Sequence, residues 1–598
     1  MTKQLTYRNL GTEPVVLDLS VDAFAVDGKP AAEGMFSVSP QRITVPAGGT
    51  ATADVTADTR VGSVGGSVQA TSADGKVQVR SAVGVDREVE SYSLTLKHLD
   101  ENGARTGDSL TSVSGFTGDF YAEYSDQEDG ELTVRLPKGD YSLAGVIHPY
   151  LTSAAPAVLV QPKLRLDEDT TVTVDAREAQ PVDITVPDPA AESVEATVRF
   201  TYDRGEELSP STFMYILPTF QGSRFGLLGS GQPEDGMSTT YVGAWTRRDD
   251  AGRPVSFRAA FEQPGRLGGF TARTEQKQFA EVDVRTGVPV SGRRAQVLAS
   301  AHMPDGDFID SFADVRGPLP LNTTEYILDN GVKWSVRAWQ VSGDSDAPVF
   351  ESFLMRMPRT WQAGHTYREQ FNVGVFGPTL RGQGDAGPEQ GYPGVIRYGN
   401  TIRAYVPVVG DGAGHWGESL FTSVTSSLEA DGKQIPDKYG VSPSVGTTEY
   451  TVPAEDAEYR LSVDNSRDPA VYAVSTRVRA QWTFRSSSVP KDKATELPLS
   501  VIRFSPELSP DSTAKAGRRL DVPFRIEGAS AGRQPAKVAF EVSYDEGATW
   551  QSAEAVGGTH LSLRHPAEPG SVSLRAELTD DSGNTLVQTI ERAYLTTR

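Results

Sequence analysis

Leu132-Thr133-Val134-Arg135-Leu136-Pro137-Lys138-Gly139-Asp140-Tyr141-Ser142-Leu143 carries the pattern on which the fold class turns. Leu132, Val134 and Leu136 alternate with Thr133 and Arg135, the period-two spacing that puts one face of an extended chain in a core and the other in water. Pro137-Lys138-Gly139-Asp140 then interrupts the run with turn-forming residues, and an apolar strand resumes at Tyr141 and Leu143. The segment reads as two strands joined by a tight turn.

The same signature extends in both directions. Residues 1–88 hold short alternating runs such as Val15-Val16-Leu17-Asp18-Leu19-Ser20-Val21 and Ala51-Thr52-Ala53-Asp54-Val55, parted by Asp27-Gly28-Lys29-Pro30 and Pro46-Ala47-Gly48-Gly49. Strands recurring about every ten residues, with Gly and Pro between them, indicate an immunoglobulin-like or fibronectin-like sandwich. Alternation restarts at Ser91-Tyr92-Ser93-Leu94-Thr95-Leu96-Lys97-His98-Leu99, so 89–180 is expected to form a second, transthyretin-like or immunoglobulin-like sandwich. Pro187 and Pro189 mark a boundary before Ala196-Thr197-Val198-Arg199-Phe200-Thr201-Tyr202.

Beyond that boundary, 181–378 reads as a large β-rich domain with many aromatics and long Gly-rich loops. A β-domain over 379–495 either stands alone or continues it. The charged, serine-rich run Arg485-Ser486-Ser487-Ser488-Val489-Pro490-Lys491-Asp492-Lys493 reads as a linker to a C-terminal immunoglobulin-like sandwich over 496–598. Helical periodicity is almost absent, so the expected architecture is all-β: tandem immunoglobulin- or fibronectin-like sandwiches with a larger β-rich middle region. The 598 residues exceed what one core supports and suit about four or five units.

Lys and Arg number 57 against 79 Asp and Glu, a formal net charge of −22. That balance provides no basic field to displace phosphate counterions or to hold the chain on anionic lipid, so neither nucleic acid nor membrane is an expected partner. With no cysteine, disulfides, thiolate catalysis and Cys-ligated zinc are excluded. No apolar run approaches the roughly 18 residues of a spanning helix. Met1 leads directly into the strand pattern Thr2-Lys3-Gln4-Leu5-Thr6-Tyr7, which reads as a piece of a longer protein.

Several motifs touch on chemistry. Gly528-Ala529-Ser530-Ala531-Gly532 matches the nucleophile-elbow pattern, but the elbow needs a strand before it and a helix after it, and here a strand at Val538 follows. Asp581-Ser582-Gly583, in Thr579-Asp580-Asp581-Ser582-Gly583-Asn584, reads as a hairpin turn. None of the seven histidines has the spacing of a metal-binding helix; His560 and His565 would face opposite sides of a strand, and His98 and His148 are expected at the surface or partly packed.

Ser543-Tyr544-Asp545-Glu546-Gly547-Ala548-Thr549-Trp550 resembles the Asp-box, with Ser543, Asp545, Gly547, Thr549 and Trp550 at its motif positions: a structural hairpin in which Asp545 accepts bonds from turn amides, Gly547 supplies a positive φ and Trp550 packs the loop onto the sheet. Acidic residues Asp126, Glu128 and Asp129, and the run Asp167-Glu168-Asp169, offer oxygen ligands suited to a weak calcium site. Trp416, with His415 in Gly412-Ala413-Gly414-His415-Trp416-Gly417, is the expected ligand-binding aromatic, since a glycine-rich loop gives it no core to enter.

Leu5-Thr6-Tyr7-Arg8-Asn9, Ile43-Thr44-Val45-Pro46-Ala47-Gly48-Gly49-Thr50, Arg87-Glu88-Val89-Glu90-Ser91-Tyr92 and Pro181-Val182-Asp183-Ile184-Thr185-Val186-Pro187 together resemble the C-terminal, post-catalytic region of large secreted actinobacterial subtilisin-like (S8) serine peptidases. The resemblance implies a secreted accessory region beside a covalently linked or upstream-encoded peptidase domain, acting as spacer, stabiliser or binder of a protein substrate or cell-surface polymer. The family's Gly-Thr-Ser-Met-Ala and His-Gly-Thr motifs are missing, so no peptidase activity is expected of this chain. The alternative is a carbohydrate- or cell-surface-binding adhesin using the aromatics of the middle region.

Overall fold

A computed structural model describes residues 1–25, 28–31, 33–57, 63–85, 89–116, 120–125, 128–149, 155–203, 210–228, 236–304, 306–344, 347–380, 393–442 and 447–598, without the side chains of 312–316. The described chain is all-β, its only helical pieces being single 3₁₀ turns at Ala176–Glu178 and Gln276–Gln278. No described helix is long and apolar enough to cross a membrane. The chain divides into two units, one covering Met1–Ala179 with a short return at Gly226, the other the remainder from Gln180.

In the first unit, the strands Thr2–Arg8, Thr50–Ala57 and Phe36–Ser39 form one sheet, and Arg42–Val45, Val15–Ala25, Val64–Ser72 and Gln78–Val85 form another. Leu17, Leu19, Val55, Val68 and Ala70 fill the space between them, while Asp18 and Ser20 point to water, as the alternation requires.

A second sandwich follows with its own core, including Leu94, Leu96, Leu136, Tyr141 and Leu143. Here the two strands of the opening motif do not pair with each other. Glu131–Pro137 pairs with Ser91–Leu99, whereas Gly139–Ile147 lies between Ser109–Gly115 and Ala157–Leu166 in the opposing sheet. Lys138 is thus the point at which the chain changes sheets, its amide bonded to Glu90 O at 2.7 Å. Alternation fixes which face of a strand is buried, but it is silent about the strand's neighbour, and the expected hairpin fails on that point.

The second unit opens with a seven-stranded sheet in the order Ser211–Leu217, Glu192–Tyr202, Met237–Arg248, Pro254–Pro264, Asn322–Leu328, Phe279–Thr286 and Thr366–Phe371. A five-stranded sheet, in the order Phe308–Pro318, Arg294–His302, Lys333–Ser342, Val349–Arg359 and Trp416–Ser419, shares a core with it around Trp334, Val336 and Trp361. Since Trp416–Ser419 completes a sheet begun before residue 378, the region after that residue continues the preceding body.

The expected separation at 495 also gives way. A nine-stranded sheet runs from Ser423–Ala430 through Ala457–Ser466 and Arg477–Ser486 to Thr585–Thr597, Gly570–Thr579 and Lys537–Ser543. Arg477–Ser486 pairs directly with Thr585–Thr597, from Arg477 opposite Glu591 to Thr483 opposite Thr585. One core, with Tyr459, Leu461, Trp482, Phe504, Phe540 and Tyr594, underlies both halves. The serine-rich run at 485–493 is therefore a strand end and a surface connection; its composition resembles a linker because it faces solvent. Arg503, fully buried, fastens the preceding segment to this body by donating to Gly377 O at 2.7 Å and Pro378 O at 3.0 Å.

Candidate functional site

The five-stranded sheet has two unlike faces. Val297, Ala299, Ala301, Trp334, Val336 and Ala338 point into the core, and the alternate residues Ser300, His302, Ser335, Arg337, Trp339, Phe353 and Met355 point the other way. Over that second face lies a cleft of about 1220 Å³, lined by Phe261, Phe270, His302 and Phe308, with Arg337, Met355 and Trp416.

The rings are held in place. Phe308 stacks on His302 at 5.7 Å between centroids and 28° between planes, and Phe270 stacks on Tyr241 at 4.9 Å and 16°. Phe308 keeps 55% of its surface exposed. Arg337 lies 5.2 Å over the Phe353 ring and 3.9 Å from the Asp310 carboxylate, and its buried Nε has no hydrogen-bond partner among the described residues. Burial pushes His302 down to about 4; Asp310 opposes that fall, while Arg337 and Lys333 add to it, so the imidazole is neutral near pH 7.

His302 Nε2 lies 2.9 Å from Ser335 Oγ, a pairing that suggests nucleophilic catalysis. Its setting does not suit the role. Ser335 is fully buried in mid-strand instead of exposed on a strained turn, and Asp310 accepts a bond from Ser300 instead of orienting His302. The arrangement is equipped to hold a ligand against rings and a few polar groups.

Most of these residues escaped sequence reasoning. A signal was present in Trp334 and Trp339: five residues apart on one strand, they cannot share a face, so one of them had to leave the core.

Trp416 and His415 require correction. Trp416 retains only 6% of its surface and packs edge-on against Phe353 and Tyr405. The glycine-rich loop is a tight turn: Asp411 Oδ1 accepts the amides of Ala413 and His415 at 3.1 and 3.0 Å, Gly414 takes φ +94°, and the chain turns back to deliver Trp416 to the sheet edge. Trp416 thus lines the cleft from within the protein core.

His415 is completely buried, 2.8 Å from Asp411 and 2.9 Å from Glu369, and stacked on Phe371 at 3.8 Å. Burial opposes its charge, but Asp411 and Glu369 outweigh that effect and hold the imidazole above its ordinary value. Glu369 is bonded in turn by Arg356 Nε at 3.0 Å; against burial, His415 and Arg356 keep its carboxyl below the usual range. The group is a buried network in which His415 and Arg356 face Asp411 and Glu369.

The Asp-box segment forms a hairpin between Lys537–Ser543 and Gln551–Ala553. Asp545 accepts the Thr549 amide at 2.8 Å and its hydroxyl at 2.6 Å, Ser543 Oγ donates to Asp545 at 2.7 Å, and Gly547 takes φ +90°. Trp550 donates to Gly547 O at 3.0 Å, and Arg575 lies 4.0 Å over its ring. Bonds from Thr549, then Ser543, pull the Asp545 carboxyl down to about 2.

Of the calcium candidates, Asp126 lies outside the described residues, Asp129 accepts the Glu131 amide at 3.1 Å, and Glu128 stands beside it in the sequence. Among the described residues no three acidic or histidine side chains are grouped to hold a metal ion. Ser530 is buried in a turn with its amide on Ser500 Oγ at 3.0 Å, and Asp580 closes the 580–584 hairpin by accepting the amides of Ser582 and Asn584 at 2.9 Å each. His565 is buried and His560 half-exposed, on opposite sides. His98, expected at the surface or partly packed, is wholly buried, with Nε2 2.7 Å from Thr111 Oγ1 and Nδ1 3.1 Å from Gly130 O; these two partners let a polar ring enter the core.

No family model matches the chain, and no curated protein does. Among solved structures, the TIE protein of Bacillus anthracis is similar at 10% identity and TM-score 0.13, covering 60% of this chain and 68% of that one. Titin domains A168–A170 align at 13% identity and TM-score 0.12, over 53% of this chain and 97% of that one. The pilus adhesin SpaC of Lactobacillus rhamnosus GG aligns at 8% identity and TM-score 0.11, over 61% of this chain and 56% of that one.

Proposed function

We propose that this chain is a non-catalytic, extracellular binding array whose recognition surface is the aromatic cleft of the second unit. The observation that carries the reading is the cleft itself: stacked rings and polar side chains line a large cavity over a sheet, while its serine is buried and its carboxylate accepts a bond from a different serine, Ser300. The sequence resemblance to the post-catalytic region of secreted S8 peptidases supports placing the array beside a peptidase unit, where it spaces or stabilises that unit and holds its substrate. An adhesin acting without a peptidase would use the same cleft, and would select a cell-surface polymer over a protein.

The purified chain should co-sediment with at least one material among elastin, collagen fibrils, chitin, cellulose and peptidoglycan, and Phe308→Asp should abolish the interaction. Equal sedimentation of the two forms, or of neither, would refute the reading. So would casein cleavage by the chain that a serine-directed inhibitor blocks.

A further inference from the structure

We propose that the cleft takes a run of uncharged sugar rings from a polysaccharide. This rests on the cleft being the recognition surface, and adds the class of ligand.

Among the described residues, the ionisable groups along the cleft, Glu262 and Asp307 against Lys333 and Arg337, sum to no net charge. Their neighbours preserve that balance: Asp307 lies 2.8 Å from Arg199, and Arg337 lies 3.9 Å from Asp310. A charged polymer would therefore find no field to draw it in, and would lose hydration on entering.

Phe270 and Phe308 each have one face covered by a stacked ring, which fixes their planes and leaves the remaining face or rim for a ligand. Pyranose rings offer flat patches of C–H to such surfaces, and the rings gain contact area at little entropic cost because they are already immobilised. Asn330, Lys333 and Arg337 also line the cleft and carry hydrogen-bond donors of the kind that sugar hydroxyls accept. The cavity of about 1220 Å³ exceeds the roughly 1000 Å³ of a large single-ligand pocket, so it suits several sugar units.

A peptide strand fits less well. Extended peptides gain affinity by adding to a free sheet edge, and this cleft lies over the middle of a sheet, where the backbone groups of Lys333–Ser342 are already paired on both sides.

The test is calorimetric titration of the full chain with cellohexaose, xylohexaose and chitohexaose as neutral probes and hexagalacturonate as a charged one, at about 50 and about 500 mM salt. The expected result is binding of at least one neutral hexamer, changing less than about twofold between the salts and weakening at least about tenfold in Phe308→Ala. Because Phe308 is 55% exposed, its loss should leave the fold intact, and an unchanged circular dichroism spectrum is the control. Binding of hexagalacturonate alone, salt-sensitive binding, or binding indifferent to Phe308→Ala overturns the proposal. If no hexamer binds while Phe308-dependent sedimentation with elastin or collagen persists, the sugar assignment fails and the recognition surface stands. If nothing binds in a Phe308-dependent way, both fail.

Discussion

Replacing Trp416 with alanine separates a loop that presents a tryptophan to solvent from one that delivers it to the core. A large aromatic side chain has about 200 Å² to bury, and Trp416 hides all but 6% of its surface. At about 25 cal/mol per Å² the burial is worth on the order of 5 kcal/mol, an upper figure because the unfolded chain already covers part of that surface. Removing a core tryptophan costs about 3–5 kcal/mol once partial collapse of the cavity is allowed for, and the Nε1 contact to Met357 Sδ at 3.0 Å is lost as well. Equilibrium urea unfolding followed by fluorescence should show Trp416→Ala shifted strongly to lower denaturant. Phe308→Ala, exposed by 55%, should move by no more than about 0.5 kcal/mol. Equal shifts in the two variants would refute the packing described for the sheet edge at Trp416.

Two further outcomes follow from titrating groups. His415 is held above its ordinary value of 6.5 in the fold, so its contribution to stability is complete below that pH and is lost as pH rises through the folded value, whereas Glu369, held below 4.5, contributes above 4.5 and is lost as pH falls through its folded value. The thermal midpoint of the parent should therefore decline on the alkaline side, and His415→Asn should unfold at lower temperature but with a flatter alkaline dependence; parallel curves would contradict the network of His415, Asp411, Glu369 and Arg356. Asp545, pulled down to about 2, stabilises its hairpin above pH 3.8 and loses that effect as pH falls toward 2. In Asp545→Ala, amide exchange at Thr549 should accelerate at neutral pH while Phe540 and Val542 remain protected; unchanged exchange at Thr549 would show that the carboxylate does not hold the turn.

The sequence carried the strand content and the local turns well. Alternation in Val15–Ala25 and in Lys537–Ser543 is set by burial of one face, and the hairpins at 543–550 and 580–584 are closed by Asp545 and Asp580 through bonds only a few residues long. Strand partnership was not legible, because Leu132–Leu143 has the same alternation whether its halves pair with each other or join opposite sheets. Nor was the union of the last two regions, since solvent-facing serines and charges look alike in a linker and at the end of a strand. The cleft escaped because its residues are ordinary members of strands, brought together by register. His98 read as a surface or partly packed group because the partners that admit it to the core, Thr111 and Gly130, are distant in sequence.

The pairing of Arg477–Ser486 with Thr585–Thr597 has a consequence for the newborn chain. During synthesis the earlier strand leaves the ribosome long before the strand that will lie beside it, and until then the half-built sheet offers a bare edge to any neighbouring nascent chain. The final strand also borders Gly570–Thr579 and Thr513–Lys515. A product shortened between Ser486 and Thr585 would therefore lose the central seam of the sheet, and its natural fate is aggregation or removal by quality control.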